Sequence, residues 1–238
     1  MLKVVNQNKT IYTPTDQTYT KLLLHGNNLL DYSGNAHVAT ANGGATVNNS
    51  GNPFGFGGVF SFDGSGDYLT VPSSTDWDFG FDDFAIDFFV YFNSSNPWTS
   101  LIYPNILGSY SSDTNRFAIF VSGISGRGMD FYVNDGTIHA VETTTQPLLD
   151  TWHHYAMVRS SGILTIYENG IAAASGDMNY DISIGERLDI ARHGQDGVTA
   201  AYLDGNLAEL RVLKGTDNGW TGSTIDVPTK PYALGSFN

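Results

Sequence analysis

The chain has 238 residues, 41% hydrophobic and 13% aromatic, with 24 acidic residues against 11 Lys and Arg and a formal net charge of −13. Such acidity repels phosphate backbones and anionic lipid, so neither a nucleic-acid partner nor membrane insertion is expected. The lack of cysteine excludes disulfides, thiolate–zinc sites and thiol nucleophiles, and the low charged fraction of 15% suits short strands joined by many turns.

Residues 1–19 read as an arm, with one apolar patch at Leu2, Val4 and Val5 before a polar stretch containing Pro14. Residues 20–238 read as one domain, beginning near Lys21-Leu22-Leu23-Leu24-His25. The N-terminal MLKVVNQNKTIYTPTD has no apolar run long enough for a signal peptide. No segment suits a membrane span either, so a chain beginning here is expected to be made in the cytoplasm and not exported by the ordinary secretory route. The stretch Asp31–Asn52, with DYSGN, ANGG and NNSGN, is expected to be a succession of turns.

β-Branched and aromatic runs then recur at Val59–Phe62, Tyr68–Val71, Phe84–Phe92, Asn105–Leu107, Arg116–Val121 and Met129–Val133. Further runs follow at Ile138–Thr143, His154–Ser160, Ile163–Glu168, Arg187–Ala191 and Leu207–Leu213. About a dozen strands at this spacing predict an all-β, two-sheet antiparallel sandwich with very little helix. Asn169-Gly170, between Leu164–Glu168 and Ile171, predicts a hairpin through a type I′ turn, because both central residues must take positive φ.

Several motifs occur in one order. They are Leu22-Leu23-Leu24-His25 with Asp31-Tyr32-Ser33-Gly34-Asn35; Phe62-Asp63-Gly64-Ser65-Gly66-Asp67-Tyr68-Leu69; and Trp77-Asp78-Phe79-Gly80 with Asp83-Phe84-Ala85-Ile86-Asp87-Phe88. Then come Trp152-His153-His154-Tyr155-Ala156, Tyr167-Glu168-Asn169-Gly170, and Tyr202-Leu203-Asp204-Gly205 leading into Glu209-Leu210-Arg211-Val212. Together they resemble the concanavalin A-like, laminin-G-like jelly-roll superfamily over roughly residues 20–232, most closely the domains of bacteriophage and marine bacterial proteins. The chain departs from the family in having Ala208 before Glu209, where Asp is common, and Glu168 where Asp or Val is frequent.

Physical readings stand beside the resemblance. Phe62, Tyr68, Leu69, Phe84, Ile86, Phe88 and Trp152 are expected between the sheets. Asp63 and Asp67 are expected to accept from turn amides around Gly64 and Gly66. His153 and His154 are neighbours in a strand, so one is expected buried or hydrogen-bonded and the other exposed. Glu209 and Arg211 share a face by alternation and are expected to pair with neighbouring strands.

Some members of the superfamily are glycoside hydrolases, whose two carboxylates stand about 5–5.5 Å or 6.5–9.5 Å apart. The glucanase-type relatives carry them on one strand as Glu-x-Asp-x-x-Glu or Glu-x-Asp-x-Glu, and Glu142, Glu168, Glu186 and Glu209 have no such company. Asp83 and Asp87 share a strand face but lie roughly 13 Å apart. No catalytic residue is therefore assigned. Many relatives hold calcium at the rim of the sandwich, and Asp31, Ser33 and Asn35 are the weak candidates here; the same residues also suit an Asx turn. No other cofactor is expected.

Sugar sites combine exposed aromatics with a few orienting polar groups. Trp98, Tyr103 and Tyr110 in the loop-like region Asn93–Asp113, and His193, Gln195 and Asp196 in another loop, are the glycan candidates. The resemblance and the arm together lead to a non-enzymatic bacteriophage structural protein: a capsid decoration, head fibre or tail component displayed on the virion. Its expected partners are other virion proteins docked through Leu2, Val4 and Val5, further copies of itself, and surface glycans. The alternative is a carbohydrate-binding module of a bacterial extracellular protein.

Overall fold

The computed structural model describes residues 13–94, 103–198 and 201–234, with side chains placed at 16–94, 103–198 and 201–232. In chain order its strands are β1 (Thr13–Thr15), β2 (Thr20–Leu24), β3 (Thr40–Asn42), β4 (Thr46–Asn48), β5 (Val59–Asp63) and β6 (Tyr68–Val71). After a 3₁₀ turn at Thr75–Trp77 come β7 (Phe84–Phe92), β8 (Asn105–Ser112), β9 (Asn115–Val121), β10 (Met129–Asn134), β11 (Ile138–Glu142) and β12 (Trp152–Ser160). The series ends with β13 (Ile163–Glu168), β14 (Ile171–Asp177), β15 (Leu188–Ile190), β16 (Asp204–Lys214) and β17 (Tyr232–Leu234).

Two antiparallel sheets form the sandwich. One has the order β11-β10-β9-β8-β15-β6-β3; the other runs β14-β13-β12-β7-β16-β5-β4, with β2 also paired to β16 as its eighth strand. β1 and β17 form a separate parallel pair with Thr13 opposite Tyr232. The expected all-β sandwich is the observed one. The turn-rich Asp31–Asn52 region differs from expectation in holding β3 and β4, short strands whose partners β6 and β5 supply the apolar residues they lack. β1 likewise falls within the stretch expected to be an arm.

Alternation on each strand fills the space between the sheets. On β9, Phe117, Ile119 and Val121 enter the core, as do Met129, Phe131 and Val133 of β10. Phe62, Leu69, Phe84, Ile86 and Phe88 join them. Phe79, Phe84, Phe131 and Phe117 form a chain of ring contacts with centroids 4.5, 5.5 and 6.2 Å apart. Arg159 closes one end of it. Its guanidinium lies 4.9 Å from the Phe84 ring and donates to the carbonyls of Phe79, Gly80, Asp82, Met178 and Tyr180. Burial lowers the Arg159 pKa to about 10, against the opposing charges of Asp83, Asp82 and Asp181.

The eight-stranded sheet is covered on its outer face as well. Ala85, Ala156, Val158, Tyr167 and Leu213 pack under Trp220 and Ile225, while Phe89 and Ala208 pack with Phe54, Trp152 and Val227. Three expectations are corrected. Trp152 lies in this outer layer, with its indole N–H donating to the Gly51 carbonyl. Tyr68, on β6 of the other sheet, lies outside the core beneath Arg192. Both His153 and His154 are buried, because a strand covered on both faces exposes neither. At the hairpin between β13 and β14, Asn169 and Gly170 have φ of 49° and 83°, as a type I′ turn requires.

Candidate functional site

The seven-stranded sheet keeps part of its outer face open, and there the chain forms a groove of about 350 Å³. The residues that alternate with the core on β9 point into it: Arg116, Ala118 and Phe120. Tyr132 of β10 and Asn105 of β8 flank them, and Tyr103, His193, Val198 and Ala201 form the rim. Depth comes from small residues. Ala118 stands in register between Gly108 and Tyr132, so the middle of the floor carries no large side chain.

Around that hollow the walls are aromatic. Tyr103 meets Phe120 edge-on with centroids 6.1 Å apart, and Phe120 lies 6.3 Å from Tyr132. Arg116 and His193 gather at one end, and Asn105 stands at the other, opposite Phe120. The Arg116 guanidinium carbon lies 5.3 Å from the Tyr132 ring and 5.9 Å from that of Tyr110, and one amino group reaches Nε2 of His193 at 3.3 Å. Nδ1 of His193 faces the Gln195 backbone N–H at 3.1 Å. Burial, then the neighbouring Arg116 charge, holds the His193 pKa below the ordinary imidazole value. The lining residues include aromatic faces, an amide, an imidazole and a guanidinium, and no carboxylate.

Of the sequence-derived glycan candidates, Tyr103 and His193 line the groove, and Tyr110 supports it from a strand rather than a loop, being part of β8. Gln195 contributes its backbone N–H to His193. Asp196 sits apart from the lining, because its Oδ1 is shared by Arg187 and Arg192 at 3.1 and 2.8 Å. With Asp189 these three pin the loop that carries His193. Trp98, Leu2, Val4 and Val5 lie outside the described residues. Sequence reasoning missed Arg116, Phe120 and Tyr132. The signal was there: on β9 and β10 they sit out of phase with the core positions, where an ordinary solvent face would carry smaller polar residues.

The calcium candidates form a hydrogen-bonded turn. One oxygen of Asp31 accepts from the N–H groups of Leu23 and Ser33, the other from the Ser33 hydroxyl and the His37 N–H. The Asn35 amide donates to the carbonyls of Thr20 and Lys21. Among the described residues no group of three His, Asp or Glu side chains is arranged to hold a metal ion. Asp63 and Asp67 serve turns as expected, accepting from Ser65, Gly44 and the Asp63 N–H.

On the outer face of the eight-stranded sheet, Asp87, His154, Arg211 and Tyr232 form a buried polar network. Arg211 pairs with Asp87 at 2.8 Å between the rings of Trp220 and Tyr232, and His154 and the Tyr232 hydroxyl contact the other Asp87 oxygen. Burial pushes the Asp87 carboxyl up, but Arg211, His154 and Tyr232 together outweigh it, and the net shift is downward. Glu209, at a bulge with φ of 54°, accepts from His25 and the Tyr232 N–H. Another carboxyl pair faces itself across β10 and β11. Asp130 is opposite Glu142, which Arg127 holds at 2.6 Å, and burial together with the Glu142 charge raises Asp130 to about 7.

Comparison with known proteins identifies the fold. Residues 63–216 match the Laminin_G_3 family model, described as the concanavalin A-like lectin/glucanases superfamily. No curated protein sequence matches the chain. Among solved structures, domain 4 of AbnA, a GH43 extracellular arabinanase from Geobacillus stearothermophilus in complex with arabinotriose, is similar with a TM-score of 0.63 and 18% identity, over 85% of this chain and 98% of that one. The binding domain of Paraclostridial Mosquitocidal Protein 1 is similar with a TM-score of 0.64 and 15% identity over 85% of this chain. A botulinum neurotoxin type C structure, described as depending on two ganglioside molecules for cell entry, gives 0.63 and 17% over the same share. The chain spans about half the length of these two toxin chains, 50% and 49%.

Proposed function

This chain belongs to the concanavalin A-like lectin/glucanases superfamily, and on that premise we propose that it is a non-catalytic carbohydrate-binding module whose ligand lies in the groove of the seven-stranded sheet. The observation that carries the reading is the lining itself: three aromatic rings, Tyr103, Phe120 and Tyr132, around a small-residue floor with Asn105, Arg116 and His193 to fix orientation. The absence of a carboxylate from that lining favours binding over glycoside hydrolysis. The fold neighbours supply only the ligand classes to try first, arabino-oligosaccharide and ganglioside sugar.

Titration calorimetry against arabinotriose, ganglioside sugars and a panel of neutral and acidic oligosaccharides tests the reading. At least one class should bind, and Tyr132→Ala should weaken it about tenfold or more, roughly 1.4 kcal/mol, with an unchanged melting temperature. A folded wild-type chain that binds no member of the panel would overturn it.

A second reading displays the same module on a bacteriophage particle. The pairing of β1 with β17 favours it, since this ties the base of the N-terminal segment to the domain and gives Leu2, Val4 and Val5 a fixed point of departure. Deleting residues 1–12 should release the protein from particles while leaving its sugar affinity intact; full retention on particles would remove this reading.

A further inference from the structure

His193 meets a hydrogen-bond donor at each ring nitrogen. The Gln195 backbone N–H lies 3.1 Å from Nδ1, and an Arg116 amino group lies 3.3 Å from Nε2. A neutral imidazole has one N–H and one acceptor nitrogen, so it can accept from only one of them. The backbone amide is fixed by its loop and claims Nδ1. Nε2 then carries the proton and stands N–H against N–H with Arg116. An imidazolium would leave both contacts donor against donor.

The Arg116 side offers no resolution of its own. Among the described residues its Nε is buried with no hydrogen-bond partner, and the nearest carboxylate, that of Asp113, lies 3.7 Å away on a side chain that is 75% exposed. That separation is too long for a hydrogen bond and the pair is open to solvent screening. Asp189 and Asp196, the acids of the adjoining loop, are engaged by Arg187 and Arg192. The polar end of the groove therefore presents two converging donors and a cation, on a chain whose net charge is −13.

We infer that the groove selects an acidic sugar, whose carboxylate lies between the Arg116 guanidinium and Nε2 of His193 while the ring rests on the Phe120 and Tyr132 walls. This inference rests on the groove being the sugar site proposed above. A carboxylate supplies about four lone-pair positions, enough to accept from both donors, and its planar shape matches the guanidinium. An uncharged sugar hydroxyl could fill the gap but would leave the cation without a counter-charge.

Calorimetry on the full chain with matched pairs provides the test: uronate oligosaccharides against their methyl esters, and sialylated against asialo glycans, at low ionic strength. The acidic member of the bound pair should be favoured about tenfold or more, and Arg116→Gln should abolish that preference by weakening the acidic member far more than the uncharged one. Equal affinity for both members, or a preference that survives Arg116→Gln, would overturn the inference and leave the sugar site standing. Failure of every sugar, acidic and neutral, to bind the folded protein would instead remove the sugar site, and this inference with it.

Discussion

On the outer face of the eight-stranded sheet, Arg211 lies between Trp220 and Tyr232 with a histidine nearby; on the outer face of the seven-stranded sheet, Arg116 lies between Tyr110 and Tyr132, also beside a histidine. The difference is the counter-ion. Arg211 has Asp87 at 2.8 Å, supplied by the adjacent strand β7 and sealed under the 216–232 segment, whereas among the described residues Arg116 has only a distant, solvated Asp113. Similar side chains form an architectural lock where the chain provides both charges, and an open site where it provides one. Covering a sheet face thus decides whether its polar residues are locked into the fold or left open to solvent.

Three measurements would break or sharpen this contrast. The largest effect should come from Asp87→Ala, which strands a buried guanidinium and should cost about 3–5 kcal/mol by urea unfolding. Sugar affinity should be unchanged, and a loss of affinity at full stability would erase the distinction between the faces. Because the folded-state pKa of Asp87 is depressed, its stabilisation is present above the unfolded carboxylate value and lost as pH falls through the lower folded value. Acid unfolding should therefore be less steep in the variant than in the wild type.

Next comes the mirror experiment, Tyr132→Ala, where the tenfold affinity loss should appear without a stability change. The smallest effect should come from Asp130→Asn. Asp130 is a buried acid whose Oδ1 has no hydrogen-bond partner, and its folded pKa is raised to about 7. A raised carboxyl pKa makes wild-type stability decline as pH rises from the unfolded value toward 7, with the penalty fully present above it. Asp130→Asn should remove that slope and stabilise the chain at pH 8 by on the order of 1–2 kcal/mol, with little difference at pH 4. Parallel pH profiles for the two proteins would show that Asp130 ionises without cost.

Strands with long β-branched or aromatic runs were legible almost to the residue: Tyr68–Val71, Phe84–Phe92 and Ile163–Glu168 are strands over the predicted spans. Thr40–Asn42 and Thr46–Asn48 were not, because their pairing depends on partners distant in sequence and their own residues carry little apolar signal. β14, reading IAAASGD, has the same weakness and follows only from the Asn169-Gly170 turn. The site was half legible. Tyr103 and His193 stand out as loop residues beside turn formers, but Arg116, Phe120 and Tyr132 read as ordinary strand content. Which strand faces stay open depends on what the 52–58 and 216–232 segments cover, and local periodicity does not carry that information. The same gap explains why one of the two adjacent histidines was expected to be exposed.

The parallel pairing of β1 with β17 has a mechanical consequence. Thr13 enters beside Tyr232, and Leu234 leaves beside Thr15, so the chain's two exits lie at opposite ends of the pair. Tension applied through both exits would load its hydrogen bonds together in shear instead of peeling them one at a time. The Tyr232 side chain extends the resistance inward, since it is bolted to Asp87 while its N–H is held by Glu209. Force applied through the two exits would therefore reach the buried Asp87 and Glu209 carboxylates through this one side chain and its N–H.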